Sequence, residues 1–374
     1  MIKFSKVDIR KDDTKLVSKI LQSGWLTHGP YTKKFEDSLK NFTGAKYAVT
    51  VSNCTAGLHL SCLALNLKKN DEVLVPAMTH TATSHAVEFT GATPVFVDVE
   101  PLTGNIDCNK IEKKITKKTK AIIIVHMAGY PCEIEKVLKI CKKYNLKLIE
   151  DCAHSLGSNY KNKHLGNFGE TGCFSFYPTK QITSGEGGAV ITNNYETYKK
   201  IKYFKAFGID LDINQRKIPG HYDVKYLGYN YRMTDFQSAL VWRQLLRYKK
   251  NLDKRKKNAK FYIQQIKKYN LQNDISSMPF SKNCSYFIFQ IFVNKNLRKK
   301  ILETFKSKKI GHSIHYAKPV PLMSFYKNKY KYKLNHFKVA KNYADESLSL
   351  PCHPDISKNE INKILRSIKK VITL

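Results

Sequence analysis

The sequence predicts an α/β protein with a mostly parallel central sheet and a smaller α+β unit towards its C-terminus. Three observations carry this expectation. Between about residues 45 and 200, short and nearly continuous apolar runs alternate with longer amphipathic stretches. Strands of that kind are buried on both faces, as in parallel sheets covered by helices. After about residue 245 the texture changes to a basic helical stretch, a region of short strands and a closing amphipathic helix. Finally, 374 residues suffice for one large core and a second, smaller one.

In chain order, residues 47–51 (Tyr-Ala-Val-Thr-Val) read as a first strand and 56–65 as the helix after it. Further strands are expected at 72–75, 94–98, 121–125 and 146–151, with a helix over 133–143 before the last of these. Two more strands follow at 172–176 and 188–192. A helix over 247–268, short strands in 285–293 and a helix over 358–371 complete the reading. The expected division is a large domain over 1–245 and a small one over 246–374. No internal repeat is visible.

The formal charge of +35 is the one extreme property. Its lysines are spread along the whole chain, so the charge describes a solvated surface better than a nucleic-acid site. Nine cysteines, with no C-x-x-C pair, fit reduced thiols in the cytoplasm rather than a disulfide or zinc framework. The apolar runs are too short to cross a bilayer, and no signal peptide is expected at the start. His312 and His315 lack a third ligand nearby, so no metal site is expected.

The chemistry gathers where the expected strands end. Lys180 follows a strand and precedes the glycine-rich turn Ser184-Gly185-Glu186-Gly187-Gly188. Partial burial there would lower its pKa and make it a nucleophile. Asp151 ends the strand over 146–151, and the carboxyl ends of strands in open α/β sheets are where ligands bind. Its carboxylate suits the pyridine nitrogen of pyridoxal 5'-phosphate (PLP); the plainer alternative is a helix cap. Ser52-Asn53-Cys54-Thr55-Ala56-Gly57 lies between a strand and a helix. It could hold the cofactor's phosphate through Thr55 and the Ala56 N–H, or simply cap the helix with Thr55. His80 could stack on the pyridine face, and His154 could reach the pyridine hydroxyl.

Together these segments resemble the DegT/DnrJ/StrS family of sugar aminotransferases, which has the aspartate-aminotransferase-like (type I) PLP fold. The resemblance runs nearly end to end. It rests on Ser23-Gly24-Trp25-Leu26-Thr27-His28-Gly29-Pro30, residues 52–60, Gly91-Ala92-Thr93-Pro94-Val95-Phe96-Val97-Asp98 and Glu150-Asp151-Cys152-Ala153-His154-Ser155-Leu156-Gly157. The Lys180 segment, Gly228-Tyr229-Asn230-Tyr231-Arg232-Met233-Thr234-Asp235-Phe236-Gln237 and Ser347-Leu348-Ser349-Leu350-Pro351-Cys352-His353-Pro354 complete it.

The resemblance implies that Lys180 carries the cofactor as a Schiff base and shuttles protons, and that Asp151 partners the pyridine nitrogen. Ser175, Thr55 and Ala56 would bind the phosphate. Asn230 would reach the phosphate of a neighbouring subunit, which implies a homodimer with shared sites. His154 stands where many members have glutamine, and His80 where many have an aromatic ring. His315 and Tyr316 resemble a segment near the sugar nucleotide. The implied reaction moves an amino group, from glutamate, to a nucleotide-linked 4-keto-6-deoxyhexose, for surface polysaccharide or glycan synthesis. Amination at C3 or of a cyclitol ketone, and a silent regulatory relative, are the alternatives. The lysine argues against the branch that has histidine in its place and removes a sugar hydroxyl.

Overall fold

The computed structural model describes residues 1–210 and 216–373. Strands β1 (Tyr47–Val51), β2 (Glu72–Pro76), β3 (Thr93–Val97), β4 (Thr119–Val125) and β5 (Lys147–Asp151) are followed by a small hairpin, β6 (Asn159–Tyr160) and β7 (Lys163–His164). Then come β8 (Thr171–Ser175) and β9 (Gly188–Thr192). The central sheet has the order β1-β9-β8-β5-β4-β2-β3. Only β9 runs against the rest; every other neighbouring pair is parallel. Observed bounds differ from the sequence reading by one or two residues at several ends.

The apolar runs explain this sheet. Val73, Leu74, Val75, Ile122, Ile123, Ile124 and Ile149 are fully buried, on both faces of their strands. Each such side chain stabilises the fold by about 1.5–3 kcal/mol. The sheet is therefore the rigid base from which the loops at the carboxyl ends of β1, β2, β5 and β8 project.

Helices α1 (Lys11–Gln22) and α2 (Pro30–Thr43) precede the sheet; α3 (Cys54–Ala64) and α4 (Thr81–Glu88) follow β1 and β2. Helix α3 lies tightly on β8 and β9. Ser61 Oγ is 3.3 Å from Cys173 Sγ, and a Cβ on Gly57 would stand 3.0 Å from Val190. Gly188 permits a closer approach still: a Cβ there would meet the Asn53 backbone at 2.5 Å. Any larger residue would push β9 off the loop that starts α3.

Helices α5 (Cys108–Ile111), α6 (Ile134–Tyr144) and α7 (Tyr195–Phe204) belong to the same layer system. Helix α8 runs unbroken over Asp235–Lys268. It begins twelve residues before the expected helix, so the expected boundary at 245/246 falls inside it. The Thr234–Gln237 capping box accounts for the earlier start.

The C-terminal unit holds a three-stranded antiparallel sheet, β10 (Ser276–Ser277), β11 (Phe289–Phe292) and β12 (Ser347–Leu350). Helices α9 (Lys295–Ser307) and α12 (Lys358–Ile372) share its core, α11 (Lys338–Glu346) bridges it to the central sheet through Tyr343, and α10 (Ser324–Tyr330) packs on β3 and α4 through Tyr326. Ile2 pairs with Ile310 and shares this unit's core, so the chain's first residues pack with its last third. No helix among the described residues is long and apolar enough to cross a membrane.

Candidate active site

The carboxyl ends of β1, β2, β5 and β8 open on one cavity of about 710 Å³. Thr55, Ala56, His80, Asp151, His154, Ser175, Lys180, His315 and Tyr316 all line it. Residues from 55 to 316 thus meet in one hollow. Asn230 does not line it. That residue is exposed and makes an isolated backbone bridge to Ala206, next to the cavity residue Tyr231.

Asp151 is the last residue of β5 and only 4% exposed. Its Oδ1 accepts a hydrogen bond from the Ala153 N–H at 3.1 Å, and its Oδ2 accepts from the Thr83 hydroxyl at 2.8 Å. No helix follows it, so the helix-cap alternative does not describe this carboxylate. The nearby Cys54 thiol is pushed well up by burial and by Asp151, so it stays protonated and puts no second negative charge beside the carboxylate.

Lys180 Nζ makes no hydrogen bond or ion pair among the described residues; it lies 4.6 Å from the centre of the Phe287 ring. Burial lowers its pKa to about 8, against the opposing pull of Cys54 and Asp151. Its segment is tied down one residue later, where Gln181 Nε2 donates to the His154 carbonyl at 2.6 Å. Below pH 8 the amine is mostly a cation, and above it mostly the free nucleophile. In cofactor-free protein, an amine-selective reagent is therefore expected to modify Lys180 with a midpoint near pH 8, read by peptide mass spectrometry. Ordinary lysines should follow only above about pH 10. A Lys180 profile that coincides with the bulk lysines would remove the basis for calling this amine activated.

Histidines surround the lysine without adding charge. Burial, then Lys180, holds His154 well below the usual range, and burial holds His315 at about 3. His154 Nδ1 accepts from the Ala128 N–H at 3.4 Å. The proton of the neutral ring is then on Nε2, which lies 3.3 Å from the Tyr316 hydroxyl. His154 also stacks on Phe287, with ring centres 4.5 Å apart. His80 is the N-cap of α4: its Nδ1 accepts from the Ala82 N–H at 3.2 Å, and its ring meets Tyr316 edge-on.

The helix-start motif needs a correction. Asn53, not Thr55, caps α3, and the Ala56 N–H donates to Asn53 Oδ1 at 2.9 Å. The Ala56 N–H is thus already engaged and is not a spare anion donor. An asparagine at N-cap bonding the third N–H of the helix is the favoured local solution. The Thr55 hydroxyl makes no hydrogen bond among the described residues. The first N–H groups of α3 point out of the helix without intrahelical acceptors. Thr55, in the first turn of α3, lines the same cavity as Ser175, at the end of β8.

The donor set suits PLP. A hydroxyl pair at a helix N-terminus matches a phosphate, a buried carboxylate matches a pyridinium, and a low-pKa amine matches an aldehyde. Phe287 and Thr83 were not foreseen from the sequence. They lie 107 residues after Lys180 and 68 before Asp151, and no local pattern marks either contact.

Among the described residues one buried cluster has metal-like composition: His126, Glu150 and Cys152. Glu150 already accepts N–H groups from Gly166, Phe168 and Gly169 and lies 3.0 Å from His126 Nε2. Burial would raise its pKa, but His126 and these N–H groups hold it low. His126 Nδ1 accepts from the Cys132 N–H at 3.2 Å, so both ring nitrogens are occupied. The cluster reads as a structural clamp between β4, β5 and the loop before β8.

Residues 7–369 match the description of the DegT/DnrJ/EryC1/StrS aminotransferase family. The chain belongs to this family. It is 34% identical to the GDP-perosamine synthase of Escherichia coli O157:H7, over 95% of this chain and 94% of that protein. It is 33% identical to the UDP-4-amino-4,6-dideoxy-N-acetyl-beta-L-altrosamine transaminase of Campylobacter jejuni, over 99% of both. Among solved structures, Spr1654 of Streptococcus pneumoniae in its PLP form superposes with a TM-score of 0.90 at 29% identity, covering 99% of this chain and 98% of that one. The protein is accordingly a sugar aminotransferase of the DegT family, with the type I fold and PLP as cofactor.

Proposed function

We propose that the protein transfers the amino group of glutamate to C4 of a nucleotide-linked 4-keto-6-deoxyhexose. One observation carries the catalytic part: a lysine with a pKa near 8 shares a cavity with a buried, hydrogen-bonded carboxylate. The substrate part is supported by the two relatives, whose names specify a GDP sugar and a UDP-4-amino-4,6-dideoxy sugar.

In this reading Thr55 and Ser175 would hold the phosphate, Asp151 would partner the ring nitrogen, and His80 would stack on the ring. When bound, the cofactor supplies the electron sink for bonds at the amino-bearing carbon. Lys180 would hold the cofactor and, as a free amine, would serve as the proton carrier at the reacting carbon. A pKa near the working pH suits a group that must both take and give that proton. His154 donates through Nε2 towards the Tyr316 oxygen, which leaves the Tyr316 proton for an acceptor oxygen on cofactor or substrate. His315 and Tyr316, which line the same cavity, would contact the sugar nucleotide. Nine buried free cysteines suit a reducing, cytoplasmic compartment.

The test is a panel of UDP-, dTDP- and GDP-linked keto-sugars, with glutamate as donor and the aminated product read by mass spectrometry. Amination of a 4-keto-6-deoxy substrate is expected. Amination confined to 3-keto sugars or cyclitol ketones would overturn the C4 assignment.

A further inference from the structure

We propose that Thr83 is a positioning residue, which fixes the Asp151 carboxylate for the cofactor, with Thr79 as the donor behind it. Thr83 Oγ1 lies 2.8 Å from Asp151 Oδ2 and donates to it; Thr79 Oγ1 is 2.7 Å from Thr83 Oγ1. All three are almost wholly buried: Thr79 at 1%, Thr83 at 0% and Asp151 at 4% exposure. Each threonine has one hydroxyl proton. Thr83 spends its proton on the carboxylate, so the proton between the two threonines comes from Thr79. The chain has one direction, Thr79 to Thr83 to Asp151, and such chains strengthen their terminal bond.

The arrangement is not the usual use of a threonine near a helix start. Such residues commonly bond backbone groups of their own turn. Thr83 reaches across to a residue 68 positions away. Without it, Oδ2 has no other partner among the described residues, and the terminal torsion of an aspartate is broad. Oδ1, held by the Ala153 N–H and by the long contact of the Cys54 thiol at 4.0 Å, is a single pivot about which the carboxylate could turn. The same turn of α4 also carries His80, its N-cap, into the cavity. One element thus carries two groups of the site: the His80 ring and, through Thr83, the Asp151 carboxylate.

The proposal rests on the reading of Asp151 as the partner of the ring nitrogen, and its test separates the two. Thr83→Val keeps the shape and removes the hydroxyl. Losing a hydrogen bond to a charged, buried acceptor should lower kcat about ten- to a hundredfold, with KM for the sugar nucleotide nearly unchanged. The pH titration of the cofactor's visible band should move in the direction seen for Asp151→Asn, by a smaller amount. Thr79→Val should move it less again, and Thr83→Ser, which keeps the hydroxyl, should restore wild-type behaviour. That rescue distinguishes the hydroxyl from mere packing, and the milder Thr79→Val gives a reading should Thr83→Val not fold. A Thr83→Val protein with wild-type kcat and band titration, beside an impaired Asp151→Asn, would overturn the role of Thr83 alone. Equal damage from Thr83→Ser and Thr83→Val would do the same. If Asp151→Asn itself titrates and turns over as wild type, the reading of Asp151 fails and the proposal with it.

Discussion

Replacing Lys180 with alanine should abolish transamination, with turnover lower by at least about a thousandfold. A positioned acid–base group contributes about 10²–10⁴-fold on its own, and here the covalent hold on the cofactor is lost as well. The structure makes this a clean experiment. The Lys180 side chain makes no hydrogen bond or ion pair among the described residues, and touches Phe287 only through a cation–ring contact. Its backbone is held separately, by the Lys180 N–H to the Tyr177 carbonyl at 2.9 Å. Gln181 anchors the following residue to His154. Truncation at Cβ therefore removes chemistry and leaves the fold, so the melting temperature should move little. PLP should still bind through Thr55 and Ser175, but without the visible band of the lysine-linked form. Normal turnover by Lys180→Ala would sink the catalytic assignment entirely.

Activity should return when two dead chains are combined. Asn230 is exposed, lies off its own chain's cavity and sits in a segment with unusual apolar exposure: Phe207, Val224, Tyr226 and, at 86%, Leu227. An exposed leucine among exposed aromatics is what a second copy would cover. We propose a two-fold dimer in which Asn230 reaches the partner's phosphate site, and a two-fold axis would make the contact reciprocal.

Asn230→Asp would then point a carboxylate at a phosphate and be nearly inactive. In a dimer of Lys180→Ala with Asn230→Asp, one site holds both defects and the other holds neither. Co-expressed chains that pair at random should recover about a quarter of wild-type activity, since half of the dimers are mixed and each has one intact site. Differently tagged chains, purified through both tags, should show about half. A confirmed mixed dimer with no activity would place both residues in the same chain's site.

Much of this protein is legible from local pattern. The strands at 47–51 and 188–192 agree with the structure to the residue, and the other sheet strands to within two. A strand buried on both faces must be apolar throughout, and that signature survives in any context. The candidate residues at the strand ends also gather as expected, because the carboxyl ends of parallel strands share one edge of the sheet. The start of α3 shows where local reading stops short. Asn53, Thr55 and Ser52 are all competent caps by type, and only backbone geometry gives the role to Asn53 and thereby engages the Ala56 N–H.

The sequence by itself determined the sheet, its helical cover and the membership of Lys180 and Asp151 in one site. These follow from burial period and from motifs a few residues long. The tertiary structure alone decided the partners that tune the site: Thr83 on Asp151, Phe287 against Lys180 and His154, and Tyr316 against His154 at a separation of 162 residues. It also decided that α8 runs straight through the expected domain boundary and that Ile2 packs with the C-terminal unit. The physical reason is range. Periodicity records which face of an element is dry, whereas a hydrogen bond between distant elements depends on tenths of an ångström set by the packing of the whole core.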